Sequence, residues 1–373
     1  MKRIHLTTSV ALLVGFWALP TQAASIWNAS IDFQWGTAGN WSTAAVPGPS
    51  DTVTFNNTSP AADCQISLAA YGNRIQHSIN STYANTIKIG TAATADQTLT
   101  LTGTAAELIN NGSTFAFNVS GTPNAGGFKL RLSISGTQPV ATTGPITLSC
   151  DISGSGGINK TLASTLTLSG NNTYTSPTTV NAGTLLVNNI TGSGTSSGNV
   201  TVQAGAKLGG TGTLAGATTI TGGTLTPGAS APGTLSFGSN LGLNSASLLA
   251  YELTGTDPTP GGANNDRTIV AGTLTLDGTL NVTDFGGNSF LSAAAGNQWR
   301  LFDYTAGLSD NGLILGTMPA LSDGLNFQLD TSIAGQVNLL VVAIPEPSAV
   351  ALGLIGGFGL LATLRRRHQY TGA

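Results

Sequence analysis

The chain has 373 residues, and only 8% are charged, against about 25% in ordinary soluble domains. Hydrophobic residues reach 40%, too many for a chain that cannot bury a core. With the terminal charges Lys2, Arg3, Glu346 and Arg365 to Arg367 set aside, eight basic and fifteen acidic residues remain, about −7, which excludes nucleic acid as a partner because phosphate contacts need clustered Lys and Arg.

Residues 1–24 read as a secretion signal. Lys2 and Arg3 form a positive start, Val10 to Leu19 an apolar stretch, and Pro20 is followed by small residues around Ala23-Ala24. That order of charge, apolar run and small residues marks an export signal.

Residues 25–150 are expected to form a capping and β-strand region. Trp27, Trp35 and Trp41 lie in its first block with Asn40, Pro47, Asp51, Val53 and Phe55. Exposed Trp faces would stack on sugar rings as glycan-facing aromatics; large buried aromatics would instead seal the first coil of a solenoid, the reading that end-sealing favours. Cys64 and Cys150 allow a disulfide closing a long loop in an exported protein, or two buried thiols. No CxxC spacing occurs, and no metal or cofactor is expected.

Residues 151–240 carry a repeat. Thr178-Thr179-Val180-Asn181-Ala182-Gly183-Thr184-Leu185 is echoed from Val200 to Leu208 and from Thr218 to Leu225, roughly one solenoid coil apart. Val, Ile and Leu alternate with Thr, Asn and Gln, so each strand has one apolar face. Glycine permits the positive φ of the corners. Such coils must stack to bury that face. Gly156-Gly157-Ile158-Asn159-Lys160, Thr165 to Thr175 and Thr178 to Leu185 resemble the autotransporter-associated β-strand repeat. The resemblance implies a passenger-type right-handed β-helix. It departs at Leu162-Ala163-Ser164 and Ser176-Pro177, where members of that family carry glycine.

Residues 241–343 read as a C-terminal β-section that either closes the solenoid or forms a small sandwich. Asp277-Gly278, between alternating strands, is a tight-hairpin signal.

Residues 344–367 hold Pro345-Glu346-Pro347, an apolar run from Ala349 to Leu364, and Arg365-Arg366-Arg367 as a membrane stop. The run of about 16 residues spans ~24 Å as a helix, short of the ~30 Å hydrocarbon core, and positive charge stays cytoplasmic. This order resembles the PEP-CTERM sorting tail, also known as the ice-binding protein C-terminal domain. The resemblance implies processing by an exosortase-type membrane enzyme near Pro345-Glu346-Pro347, and a setting of exopolysaccharide and biofilm.

No catalytic constellation is evident. Gly194-Thr195-Ser196-Ser197-Gly198 matches a nucleophile-elbow string, but the histidine after it is His368, in the tail, and an elbow needs a partner acid and histidine in the fold. Asp257, Asp266 and Asp277 are close in sequence, with turn and strand-edge roles favoured over the paired carboxylates of glycosidases. The expectation is therefore an all-β, right-handed β-helix body between an N-terminal signal peptide and a C-terminal membrane helix. It would be exported, with its C-terminus cytoplasmic, and would serve as a non-enzymatic structural or adhesive surface protein. Its partners would be the exosortase-type enzyme, exopolysaccharide or another surface glycan, and the membrane. The alternatives are an ice-binding or polysaccharide-processing β-helix. An irregular Thr pattern, with Val200-Thr201-Val202-Gln203 in the middle echo, counts against ice.

Overall fold

The computed structural model describes residues 25–344 apart from short segments at 29–33, 49–50, 56–63, 68–69, 73, 78–84, 102–106, 111–116, 143, 229, 260–263 and 288. The signal peptide and the sorting tail, with Pro345, Glu346, Pro347, Arg365, Arg366 and Arg367, lie outside the described residues. Among the described residues no helix is long and apolar enough to cross a membrane.

The period-two patterning becomes strands because every second side chain can turn inward. Each coil lays one strand on a twelve-stranded sheet, face A, turns a corner, and lays the next on an eleven-stranded sheet, face B. Within both sheets the strands are parallel neighbours in consecutive coils. The third side carries a four-stranded sheet early and a six-stranded sheet late. The result is a parallel β-solenoid. Face A runs unbroken from Ser25–Ile26 to Gly307–Asp310. The stretches 25–150, 151–240 and 241–343 are therefore successive parts of one stack.

The core is a set of columns along the axis. On face B, Ile146, Leu166, Leu185, Leu208, Leu225, Leu249 and Leu280 are paired in register, coil upon coil, and all are 0% exposed. Neighbours stand ~4.8 Å apart, so each Leu packs on the one below and the one above. Fully burying such a side chain is worth about 1.5–3 kcal/mol.

Asparagine ties the coils together on their irregular edges. The Asn188 side-chain oxygen accepts the Thr211 N–H at 3.1 Å, Asn240 accepts Thr273 at 2.8 Å, and Asn281 accepts Thr317 at 2.8 Å. In each case an amide of one coil satisfies a backbone donor of the next, where no sheet ladder can. Between Thr165–Leu168 and Thr178–Val180 the third side has no strand. There buried Asn172 accepts the Ile152 N–H at 2.8 Å and donates to the Gly194 carbonyl.

Asp277-Gly278 is not a hairpin. The flanking strands Thr273–Leu276 and Thr279–Asp284 pair with different neighbours, one on face A and one on face B. Gly278 takes φ +95° and its N–H donates to the Asp277 carboxylate at 2.7 Å. The turn chemistry is that of a hairpin, but the preceding coil offers a parallel edge and captures both strands. The C-terminal section closes the solenoid. Gln298–Tyr304 pairs parallel with Arg267–Val270 but antiparallel with Gln336–Ala343, which pairs antiparallel with Leu325–Asp330. Phe290, Trp299 and Phe327 pack under this reversal, with ring centroids 4.9 and 5.6 Å apart.

The departure from the repeat pattern at residue 162 has a structural counterpart. Leu162, 47% exposed, sits at φ +63°, a region that costs a β-carbon roughly 1–2 kcal/mol. Lys160 holds this corner from inside. It occupies the apolar column between Val140 and Val180, is 0% exposed, and its Nζ donates to the carbonyls of Thr161, Leu162 and Ala182 at 2.9, 2.7 and 3.0 Å. Burial lowers its ammonium to about 8. Those three acceptors match its three donors. Replacing Lys160→Met should orphan the three carbonyls and lower unfolding free energy by about 2–4 kcal/mol. Leu162→Gly should raise it by about 0.5–1 kcal/mol by relieving the corner. Both are read from denaturant midpoints.

Candidate functional site

The outer surface of face A is the most regular exposed feature of the solenoid. Its middle column runs Asn159, Thr179, Thr201, Thr219, Gly242 and Thr275, each in register with the next. A second column places Gln203 beside Thr221, with Asn181 two residues beyond Thr179. All these residues are half-buried or exposed, whereas the residues between them are buried. The alternation that packs Val180, Val202 and Ile220 inward thus sets hydroxyls and amides outward at a step of ~4.8 Å. Asn181 donates to Asn159 at 2.5 Å across adjacent coils, which aligns the amides. No residue of these columns is charged.

This corrects the view of the Thr pattern as broken at Val200-Thr201-Val202-Gln203. Val200 and Val202 are core residues at 1% and 0% exposure, and Thr201 stands between Thr179 and Thr219. Face B is less uniform: its outward positions Thr165, Thr184, Lys207, Thr224 and Leu248 mix hydroxyls with a cation and an exposed leucine.

Trp27, Trp35 and Trp41 do not face a glycan. They are 0%, 2% and 2% exposed. Trp41 packs edge-on against both others, at 5.1 and 4.9 Å between ring centroids, and its indole N–H donates to the Trp35 carbonyl at 2.8 Å. Trp27 also contacts Phe55. The three rings pack over the N-terminal end of the described core. Cys64 and Cys150 are both buried and are not bonded to each other. Cys64 begins the face B column Ile87, Val119, Leu148. Cys150 follows Leu148, three strand steps away, about 14 Å, beyond the ~7 Å Cα limit of a disulfide. Burial pushes the Cys150 thiol up to about 12, which leaves it inert at neutral pH.

The remaining chemical candidates are engaged in structure. Ser196 of the nucleophile-elbow string is 3% exposed at φ +59° and donates its hydroxyl to the Tyr174 carbonyl. Asp257 accepts the Thr259 N–H at 2.9 Å and the Asn264 amide at 2.7 Å, and these bonds hold its carboxyl below the usual range. Asp266 is 0% exposed and accepts the N–H groups of Gly233 and Glu252, both at 2.8 Å. Burial nonetheless raises its carboxyl to about 7, with Glu252 adding repulsion. Asp257 and Asp277 each accept a backbone N–H within their own turn, and Asp266 joins two separate backbone segments.

Comparison with known proteins places the repeat. Residues 159–187 match the passenger-associated transport repeat, a stretch that takes in strands of two successive coils, with Lys160 and the Leu162 corner. The chain is also 42% identical over 120 residues, 32% of its length, to the Adhesin BmaC autotransporter of Brucella suis biovar 1 (strain 1330). That stretch is 3% of the relative's length, so the likeness covers a few coils of a far longer protein.

Two outcomes follow. Trp35→Ala should cost about 3–5 kcal/mol in thermal or denaturant unfolding and leave glycan retention of the remaining folded protein unchanged. A sugar-stacking role would give the reverse. The raised Asp266 carboxyl makes the native state bind its proton between about pH 4 and 7, where the unfolded chain has released it. Unfolding free energy should therefore fall as pH rises through that window, and Asp266→Asn should flatten this slope in urea titrations.

Proposed function

We propose that this chain is an exported, non-enzymatic surface protein of a Gram-negative bacterium, a rigid low-charge rod that adheres to exopolysaccharide or another surface glycan. The observation that carries this reading is the passenger-associated transport repeat at residues 159–187 within an unbroken parallel solenoid. The likeness to a stretch of an autotransporter adhesin supports it. So does the outer surface of face A, whose hydroxyls and amides suit many weak hydrogen bonds to sugar hydroxyls.

In this reading the signal at residues 1–24 begins export. An exosortase-type enzyme then processes the tail at Pro345-Glu346-Pro347, with the apolar run and Arg365-Arg366-Arg367 holding the chain in the membrane until that step. The protein is retained in the extracellular matrix of a biofilm.

Intact cells expressing the full chain should bind an antibody raised against the solenoid. Mass spectrometry of the matrix-associated protein should give a C-terminus near Pro345. Label restricted to permeabilised cells would overturn surface display. A mature terminus retaining Arg365 to Ala373 would overturn processing.

A further inference from the structure

We infer that the outer surface of face A is the binding surface, and that its ligand is an extended neutral polysaccharide lying along the solenoid axis. The inference rests on the adhesive reading above and specifies which face and which glycan class.

Three observations converge. First, the hydroxyls of Thr179, Thr201 and Thr219 form a straight row, one per coil, in register, and none is consumed by a protein partner among the described residues. Beside them run the amides of Asn181 and Gln203 and the Thr221 hydroxyl. A row with donors and acceptors at every ~4.8 Å step suits a polymer that repeats its own hydroxyls at similar intervals. It offers a compact ligand few of these groups at once, because they lie along a line rather than converging. Second, these columns hold no charge, while the body of the chain is acidic. An anionic polysaccharide would gain no cation here and would meet net repulsion. Third, the surface is fixed by the core. The valine and isoleucine columns behind it set the position of every outward side chain, so the donors are ordered before the ligand arrives and little entropy is lost on contact.

Single contacts of this kind are weak, and affinity accumulates along the polymer. Retention should therefore grow with chain length and be nearly insensitive to salt, since no ion pair is screened.

The test uses the full chain and two probes, amorphous cellulose as an extended neutral glycan and alginate as an anionic one. The wild-type chain should be retained on cellulose and not on alginate, equally at low and high salt. The triple variant Thr179→Val, Thr201→Val, Thr219→Val keeps side-chain shape and strand propensity but removes the row of hydroxyls. It should lose retention at least five-fold with unchanged circular dichroism and melting temperature. The matched face B variant Thr165→Val, Thr184→Val, Thr224→Val should bind as wild type. Loss in the face B variant with retention in the face A variant would overturn the inference while leaving the adhesive reading intact. Salt-sensitive retention on alginate would overturn the neutral-glycan assignment alone. Retention on neither probe would overturn the glycan reading itself. Thermal hysteresis in the wild type, abolished in the face A variant, would assign the row to ice instead.

Discussion

The stacking of one coil's apolar side chains on the next is the interaction on which everything else in this molecule depends. A single coil is too thin to enclose a core, and its inward Leu or Val gains burial only from the coils on either side. The column from Ile146 to Leu280 shows the consequence. Its members come from seven separate strands, yet all are fully shielded from water. Stability in such a stack is distributed along the axis, and the two ends are its weak points. The tryptophans at one end and the Phe290, Trp299 and Phe327 cluster at the other place large side chains where the described coils stop.

The same constraint links core to surface. Because a strand alternates, any rule imposed on inward residues leaves the outward ones in an equally regular array. The outward Thr row on face A is in this sense a by-product of packing. A chain with few charges can keep that row clean over several coils. The backbone needs that strands cannot meet are covered by short polar side chains: Asn to the next coil's N–H groups, Lys160 to three carbonyls at one corner.

Much of the fold was legible in the sequence, because the period-two runs and the glycines between them report strands and corners directly. The glycine at 183 shows why. It takes φ +69° with the carbonyls of Leu162 and Ser164 less than 3 Å from where a β-carbon would sit, so little but glycine fits. What local pattern could not give is which edge a strand pairs with. Asp277-Gly278 carries the chemistry of a hairpin and of a solenoid corner alike, and only the long-range neighbour separates them. The regularity of the Thr row was hidden for a related reason. Read linearly, Val200-Thr201-Val202-Gln203 differs from Thr178-Thr179-Val180-Asn181, yet at the outward positions both present Thr then an amide. For Trp27, Trp35 and Trp41 the need to seal a coil end favoured burial over sugar stacking, and the rings are buried.

The antiparallel return at the far end has a consequence for assembly. A stack of parallel strands presents an open edge that a second molecule could extend, which is how many β-structures grow into filaments. Here the outermost strand on the late third side, Leu325–Asp330, belongs to an antiparallel ribbon, while the opposite end offers the two-residue strand Ser25–Ile26 above a tryptophan plug. The antiparallel ribbon thus turns the last parallel edge of the third side away from further stacking, while faces A and B finish in the parallel strands Gly307–Asp310 and Ile314–Leu315.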